Sequence, residues 1–314
     1  MLVNYSVSFD LSQDPTVLLS KLQLSLWSLR QHNTTVPVLV FVYDMVPGEL
    51  RRICYRYGAE VVERGSYSGR LADLCPEGWP VLARYPTLHK FLNFGQLGGQ
   101  QRTLYCDCDT LFADDVAGLF SAYTTADVYA REEVHSTLSR YGPNRDFLDE
   151  PALARLAESL GVAFVPPFNT GVVLVNHGRA ADLVLLEEWF VSCVWHFMIW
   201  MSLVPQHAAE TGYGTLDAIE QAHRRASHEQ LTRALPYPSA NQWIVEEVAT
   251  WLALGAVPGL RIGQFSPADV PQNGELADPA RGPDRWHMCH YFSTDPSTAQ
   301  AWLPTGQHTT STRS

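Results

Sequence analysis

The sequence carries little charge, and positive charge is the scarcer of the two signs. Only 18% of its 314 residues are charged, and 22 basic residues against 33 acidic ones give a formal net charge of −11. No long basic run occurs. Because nucleic-acid backbones are bound by positive surfaces, this composition argues against a nucleic-acid partner. An acidic protein that binds an anionic ligand needs a local device for it, such as a metal ion or a helix N-terminus.

The sequence also shows no paired cysteine motif and no internal repeat. The six cysteines are scattered and form no Cys-x-x-Cys pair, which favours reduced thiols in a cytoplasmic protein. Residues 1–10 show no basic stretch followed by a long apolar one, so we expect no signal peptide. Hydrophobic residues make up 46% of the chain, as in globular proteins. Only the Ser/Thr-rich residues 304–314 are predicted to be disordered.

One long apolar stretch, residues 183–204, could be mistaken for a membrane span. It contains Glu187, Glu188 and His196, which a lipid-exposed helix would tolerate poorly. We therefore expect no transmembrane segment and interpret the stretch as a packed helix. The alternative is a face for a homo-oligomer or for peripheral membrane contact.

The first hundred residues alternate between strand-like and helix-like patterns. Strands are predicted at residues 3–9, 36–43, 59–63 and 103–106, and helices at 15–31, 47–57 and 87–97, with a loop-rich stretch at 65–86. This alternation predicts an α/β fold with a mostly parallel sheet flanked by helices. Further along, strands are predicted at 127–131 and 172–176 and helices at 151–160 and 243–254, with residues 133–163 read as a helical insertion.

The most informative pattern is Asp107-Cys108-Asp109, which directly follows the apolar strand at 103–106. In open α/β sheets, ligands bind at the carboxyl ends of the strands. Carboxylate oxygens suit Mg²⁺ or Mn²⁺, and such ions keep vacant positions for substrate phosphates. The pattern therefore predicts a divalent-metal site, against the plainer alternative of an Asp-rich turn.

Four motifs together resemble the nucleotide-sugar glycosyltransferases of the GT-A fold, in particular glycosyltransferase family 8 (glycogenin-like and lipopolysaccharide galactosyltransferase-like). They are Lys90-Phe91, Asp107-Cys108-Asp109, Phe168-Asn169-Thr170-Gly171-Val172 and His290-Tyr291-Phe292. The resemblance covers roughly residues 3–292. It implies a GT-A (Rossmann-like) fold with a helical insertion and a C-terminal extension. It also implies a donor-binding half at 1–132, an acceptor-side half at 133–303, and His290 as the third metal ligand beside Asp107 and Asp109.

The resemblance also implies a set of residues that contact the donor. The end of the first strand would hold the base and ribose, and cations and the metal motif would hold the diphosphate. The residues expected there are Phe9, Asp10, Arg84, Lys90, Asp107 and Cys108. Three of them have a plainer interpretation: Phe9 as a strand end, Asp10 as a helix cap and Lys90 as a solvated helix lysine.

The sequence departs from the family pattern at two places. The late motif usually continues to a lysine that touches the diphosphate, whereas residues 293–302 contain no lysine. Either another cation acts there, or metal and backbone hold the phosphates. Asn241-Gln242 stands where the family often has Asp-Gln, so no carboxylate nucleophile is available at Asn241. We therefore expect Asn241 and Gln242 to position and polarise the reactants, and Asn169 to lie near the sugar hydroxyls or else to serve the Gly171 turn.

Together these features predict a metal-dependent transferase that moves a sugar from a nucleoside-diphosphate sugar, with UDP as first choice, to an acceptor hydroxyl with retention. An inverting enzyme would need a general base, for which Asp217, Glu246 and Glu247 are candidates. The alternatives are a sugar nucleotidyltransferase and a non-catalytic nucleotide-sugar-binding protein. A zinc site made by Cys106, Cys108, Cys289 and a histidine is a rival for the metal. His287 is a rival for His290.

Overall fold

The computed structural model describes residues 1–9, 15–76, 79–83, 86–93, 97, 102–132, 153–155, 157–158, 161–176, 245–276, 286–291, 296–301 and 303. Several expectations lie outside these residues. They concern Asp10, Arg84, Asn241, Gln242, the apolar stretch 183–204 and the tail 304–314. Within the described residues, no helix is both long enough and apolar enough to cross a membrane.

A seven-stranded sheet forms the centre of the described structure. Its strands are β1 (Leu2–Phe9), β2 (Val38–Asp44), β3 (Glu60–Glu63), β4 (Arg102–Cys106), β6 (Val128–Glu132), β7 (Phe168–Asn176) and β8 (Ile262–Gln264). They lie in the order β3-β2-β1-β4-β7-β6-β8. Only β7 runs antiparallel to its neighbours β4 and β6, so the sheet is mostly parallel, as predicted. A separate two-stranded sheet pairs β5 (Thr110–Phe112) with β9 (Met288–His290).

The helices alternate with these strands through the first half of the chain. They are α1 (Pro15–His32), α2 (Gly48–Arg56), α3 (Tyr67–Leu74), α4 (Trp79–Leu82), a 3₁₀ helix (Pro86–Phe91), α5 (Val116–Ala122), α6 (Val245–Gly255), α7 (Asn273–Leu276) and α8 (Pro296–Gln300). Leucines at three- and four-residue spacing form the buried inner face of α1: Leu19, Leu22, Leu26 and Leu29. Gly58, with a positive φ of 58°, ends α2 as expected.

Two sequence expectations for residues 65–97 need correction. The stretch read as loop-rich contains α3 and α4. Helix α3 begins after Ser66, whose hydroxyl accepts a hydrogen bond from the Gly69 amide and so caps the helix. The stretch was predicted as loop because of its glycines and prolines. The predicted helix at 87–97 is instead the short 3₁₀ helix, which ends at Phe91. Tertiary contacts of Lys90 with Thr170 and of Asn93 with Ser6, rather than helix propensity, dominate there.

Apolar side chains fill a layer on each face of the sheet. Along β7, Val172 and Leu174 pack into the layer beneath α1, while Val173 and Val175 pack into the layer that contains α6. Both faces of the central strands are therefore buried, which confirms the predicted flanking of the sheet by helices. Strands from both sides of residue 132 share this sheet. The division into donor-side and acceptor-side halves stays a prediction.

Strand register brings distant parts of the chain to one edge of the sheet. Cys106, the last residue of β4, pairs with Val172, so the first residues of β7 lie beside the segment that follows β4. In the small sheet, Thr110 pairs with His290. Two antiparallel partners thus flank the Asp107–Asp109 segment, and each contributes polar side chains to the same place.

Candidate active site

Backbone and hydroxyl contacts on both sides hold the Asp107–Asp109 segment in place. The Asp107 amide donates to the Gly171 carbonyl (2.7 Å), and the Tyr291 amide donates to the Asp109 carbonyl (2.9 Å). The Thr110 hydroxyl donates to the Asp107 carbonyl (3.0 Å). The two carboxylates are therefore presented from a braced turn at the carboxyl end of β4.

His290 completes a cluster of three side chains that could hold a metal ion. Its Nε2 lies 3.2 Å from Oδ1 of Asp109 and 3.9 Å from Oδ2 of Asp107. One ligand atom from each of the three residues falls within 4.8 Å of the others, and no second such group of His, Cys, Asp and Glu occurs among the described residues. The structure thus brings together the three residues that the resemblance implies as metal ligands, and metal binding by them stays a prediction.

Asn169 determines which nitrogen of His290 faces the carboxylates. The Asn169 side-chain amide donates through Nδ2 to Glu247 Oε1 (3.2 Å), so its Oδ1 is the acceptor. That oxygen accepts from the Gly171 amide (2.9 Å) and lies 2.9 Å from Nδ1 of His290. His290 must therefore carry its proton on Nδ1 when neutral, which leaves the Nε2 lone pair facing Asp107 and Asp109. This is the arrangement by which proteins orient a metal-bound histidine.

Gly171 leaves room for the His290 ring. A Cβ built on Gly171 would lie 2.2 Å from Cε1, 2.5 Å from Nδ1 and 2.6 Å from Nε2 of the ring. Real Cβ contacts essentially never fall below about 3.0 Å. The need for glycine at this point of the Phe-Asn-Thr-Gly-Val motif thus arises from the close approach of His290.

Lys90 links the cluster to helix α6 through a buried ion network. Its ammonium pairs with Glu246, lies 3.6 Å from Oδ2 of Asp107 and donates to the Thr170 hydroxyl (3.0 Å). Burial alone would lower the pKa of Lys90, but the Asp107 and Glu246 carboxylates outweigh it and raise that pKa, so the ammonium stays charged. Its predicted role as a contact to the donor's diphosphate stays a prediction.

Each carboxylate of the Asp pair is oriented by a neighbour on the side away from the cluster. The Tyr105 hydroxyl donates to Oδ1 of Asp107, and the Lys21 ammonium donates to Oδ2 of Asp109 at 2.9 Å. Burial alone would raise the pKa of Asp109, but His290 and Lys21 outweigh it and hold that pKa well below its usual range. The Asp109 carboxyl is therefore anionic, and each residue of the pair presents its other oxygen to His290.

Lys21, Glu246 and Glu247 were not recognised as partners of this cluster from the sequence. For the lysines a signal existed: of the 22 basic residues, lysine occurs only at positions 21 and 90. Both side chains meet the Asp107–Asp109 segment. The two glutamates, considered only as possible bases, instead hold Lys90 and Asn169.

The rival metal ligands do not come together. Cys106 and Cys108 pack into the apolar layer beneath α1, and Cys289 packs into a separate cluster with Trp286 and Leu111. Burial raises the pKa of all three thiols, which disfavours the thiolates that zinc needs. His287 lies 3.8 Å from Asp114, outside the cluster. The structure thus does not form the cysteine site considered from the sequence.

Two of the remaining predicted site residues lie in the described structure, and four do not. Phe9 is buried at the end of β1, where it pairs in register with Asp44. Cys108 turns its side chain into the core, as strand alternation predicts. Arg84, Asp10, Asn241 and Gln242 lie outside the described residues. The donor contacts of Phe9, Asp10, Arg84 and Cys108 and the catalytic roles of Asn241 and Gln242 stay predictions.

The donor set fits a hard divalent cation. Two carboxylate oxygens and one imidazole nitrogen lie within 4.8 Å of one another. Lys21 and Tyr105 donate hydrogen bonds to the carboxylates, and Asn169 accepts one from Nδ1 of His290. Such oxygen-rich sites favour Mg²⁺ or Mn²⁺ over metals that prefer thiolates. Three protein ligands leave coordination positions for a bound substrate.

The known proteins that match this chain are solved structures. No family model matches the chain, and no curated protein matches it. The bifunctional glycosyltransferase WbbM, solved in its apo form, matches 93% of this chain with a TM-score of 0.54 and 11% identity. The match covers 46% of WbbM, so this chain spans about half the length of WbbM. The chain has the GT-A glycosyltransferase fold. At this identity the likeness establishes the fold alone.

Two further solved glycosyltransferases match the chain with lower TM-scores. The galactosyltransferase LgtC, solved with donor and acceptor sugar analogs, is 13% identical with a TM-score of 0.46 over 93% of this chain and 87% of LgtC. Mouse xyloside xylosyltransferase 1 is 12% identical with a TM-score of 0.44, over 94% of this chain and 98% of its own.

Proposed function

We propose that this protein is a metal-dependent glycosyltransferase that moves a sugar from a nucleoside-diphosphate sugar to an acceptor hydroxyl. The observation that carries the proposal is the convergence of Asp107, Asp109 and His290 at the carboxyl end of β4. That edge of an open α/β sheet is the usual place for a nucleotide ligand. The GT-A fold agrees with the same chemistry.

The three ligands give the site a defined chemical task. A divalent ion held there would act as a Lewis acid on the leaving diphosphate, where negative charge grows as the glycosidic bond breaks. The protein supplies the rigidity: Asn169 and Gly171 orient His290, while Tyr105 and Lys21 orient the carboxylates. Pre-orientation of this kind avoids reorganisation during the reaction.

For the nucleotide we propose UDP, bound at the carboxyl end of β1 near Phe9 and Asp10. For the stereochemistry we propose retention, with Asn241 and Gln242 positioning the sugar and the acceptor. Two of the three candidate bases for inversion are engaged within the protein, since Glu246 pairs with Lys90 and Glu247 accepts from Asn169 and Thr170. These bonds support retention over inversion.

We also propose a cytoplasmic location. Five of the six cysteines lie in the described part of the chain, and all five are free thiols: Cys54, Cys75, Cys106, Cys108 and Cys289. Four of them are buried. Free thiols in this number suit a reducing compartment.

Hydrolysis and transfer assays test the proposed function. Purified protein would be incubated with UDP-, GDP-, CDP- and dTDP-sugars, with and without Mn²⁺, and the released nucleotide measured. We expect turnover of one donor class that requires the metal and falls by at least about 100-fold in Asp109→Asn, because one of three ligands loses its charge. Asp114→Asn, which changes an exposed carboxylate five residues away, should retain turnover. Metal-independent turnover, or equal loss in both variants, would contradict the proposal.

A further inference from the structure

Three polar contacts attach one face of helix α1 to residues 109–112, which begin at the second aspartate of the pair. Lys21 donates to Asp109 (2.9 Å), Ser25 is hydrogen-bonded to Thr110 (2.8 Å), and Ser28 accepts from the Phe112 amide (3.1 Å). Positions 21, 25 and 28 share a helix face. Because both serines are fully buried, the rotation of α1 is set and Lys21 is held at the cluster.

Lys21 differs from the other lysine in its exposure. The Lys90 side chain is 7% exposed and its ammonium is shared among Glu246, Asp107 and Thr170. The Lys21 side chain retains 21% exposure and the Asp109 side chain 17%, so this ion pair lies at the solvent-accessible margin of the cluster. An ammonium has three hydrogens to donate, and the contact to Asp109 uses one of them.

Charge balance calls for a further cation at this place. A divalent ion would be neutralised by Asp107 and Asp109, so no positive charge would remain for the diphosphate of a nucleotide. His290, as a neutral ligand through Nε2, adds none. In the part of the chain that the structure describes, Lys21 is the basic side chain that contacts the Asp pair while still reaching solvent. Residues 293–302 contain no lysine that could take this role.

We propose that Lys21 binds the diphosphate of the nucleotide while it holds Asp109 in place for the metal. The inference rests on the proposed function, since it concerns the ligand of the same site. The compact ammonium can donate to Oδ2 of Asp109 and to a phosphate oxygen at once, because its charge acts as a point and its donors rotate freely. Lys21 is thus a binding residue for the diphosphate as well as a positioning residue for Asp109.

Binding of UDP and of inorganic pyrophosphate at saturating Mg²⁺ separates these two roles. We expect Lys21→Met to weaken both ligands about 10–100-fold, the range of a charge-assisted hydrogen bond. Lys21→Arg should keep part of the affinity. Arg51→Met, which removes one positive charge from an exposed ion pair between α2 and β3, should leave both affinities unchanged. Mg²⁺ affinity is measured first for each variant, so that the comparison is made with the metal site filled.

Lysine labelled at ¹³Cε gives an independent readout on the wild-type protein, because only two lysine signals are expected. Lys21→Arg assigns them. Addition of UDP to the Mg²⁺-loaded protein should shift the Lys21 signal, and Mg²⁺ alone should shift it less. The inference is overturned if Lys21→Met binds UDP with wild-type affinity at saturating Mg²⁺, or if the Lys21 signal does not shift when UDP is added. Neither result would contradict the proposed function. Failure of the wild-type protein to bind any nucleoside diphosphate would instead overturn the proposed function.

Discussion

Substitution of Gly171 by alanine tests whether His290 is held for metal binding. The added methyl group would meet three atoms of the imidazole at 2.2–2.6 Å, so the ring or the strand must move. Gly171 has no left-handed backbone conformation, and alanine is therefore disfavoured here by contact alone. His290 is buried against Asn169 and Asp109, and rotation of the ring breaks both contacts.

The expected effect falls mainly on metal affinity. Loss of the partners that orient a ligand weakens metal binding about 10–100-fold, and we expect that range for Gly171→Ala. Overpacking should lower the free energy of unfolding by about 1–3 kcal/mol. Mn²⁺ binding is measured by calorimetry or by the electron paramagnetic resonance signal of free Mn²⁺, and stability by urea unfolding.

Gly118→Ala is the matched control, because a Cβ on Gly118 would meet the ring of the other nearby histidine, His287, at 2.5 Å. His287 is partly exposed and stands outside the cluster, so we expect wild-type Mn²⁺ affinity in this variant. Equal Mn²⁺ affinity in Gly171→Ala and wild type, or a loss in Gly118→Ala alone, would refute the assignment of His290 as the ligand.

Three further outcomes are expected from the cluster and from the residues that contact it. Asn169→Ala should weaken Mn²⁺ binding about 10-fold in calorimetry, because His290 Nδ1 loses its acceptor; an unchanged affinity would show that Asn169 does not orient the ring. Lys90→Met should lower the free energy of unfolding by about 3–5 kcal/mol in urea titrations, since it removes the ammonium that pairs with the buried Glu246 carboxylate, and a loss below about 1 kcal/mol would contradict this. Saturating Mn²⁺ at about 100 times its Kd should stabilise the wild-type protein by about 2.7 kcal/mol in thermal unfolding, an increase that Asp109→Asn should abolish.

The fold could be predicted from the sequence because its signals are local. Leucine spacing in α1, the β-branched run of β2 and the Pro and Gly residues around α2 each specify one element. The predictions for short elements with mixed signals were wrong. The residues of α3 and α4 were predicted as loop, and the 3₁₀ helix Pro86–Phe91 was predicted as a longer helix. In that stretch tertiary contacts outweigh propensity.

Site residues could be predicted from the sequence only where the surrounding residues form a recognisable pattern. Asp107 and Asp109 could be placed because they follow a buried strand, and His290 because of a family resemblance. Lys21, Glu246 and Glu247 could not be placed, since their positions depend on how α1 and α6 dock against the sheet. The reason for glycine at position 171 also appears only once strand register brings His290 to it.

Anomalous diffraction from crystals grown with Mn²⁺ and UDP tests the central claim most directly. The account predicts one strong manganese peak within about 2.0–2.5 Å of a carboxylate oxygen of Asp107, a carboxylate oxygen of Asp109 and Nε2 of His290, with the UDP diphosphate in its remaining positions. A manganese ion that binds UDP elsewhere on the protein, with these three side chains bare, would contradict it.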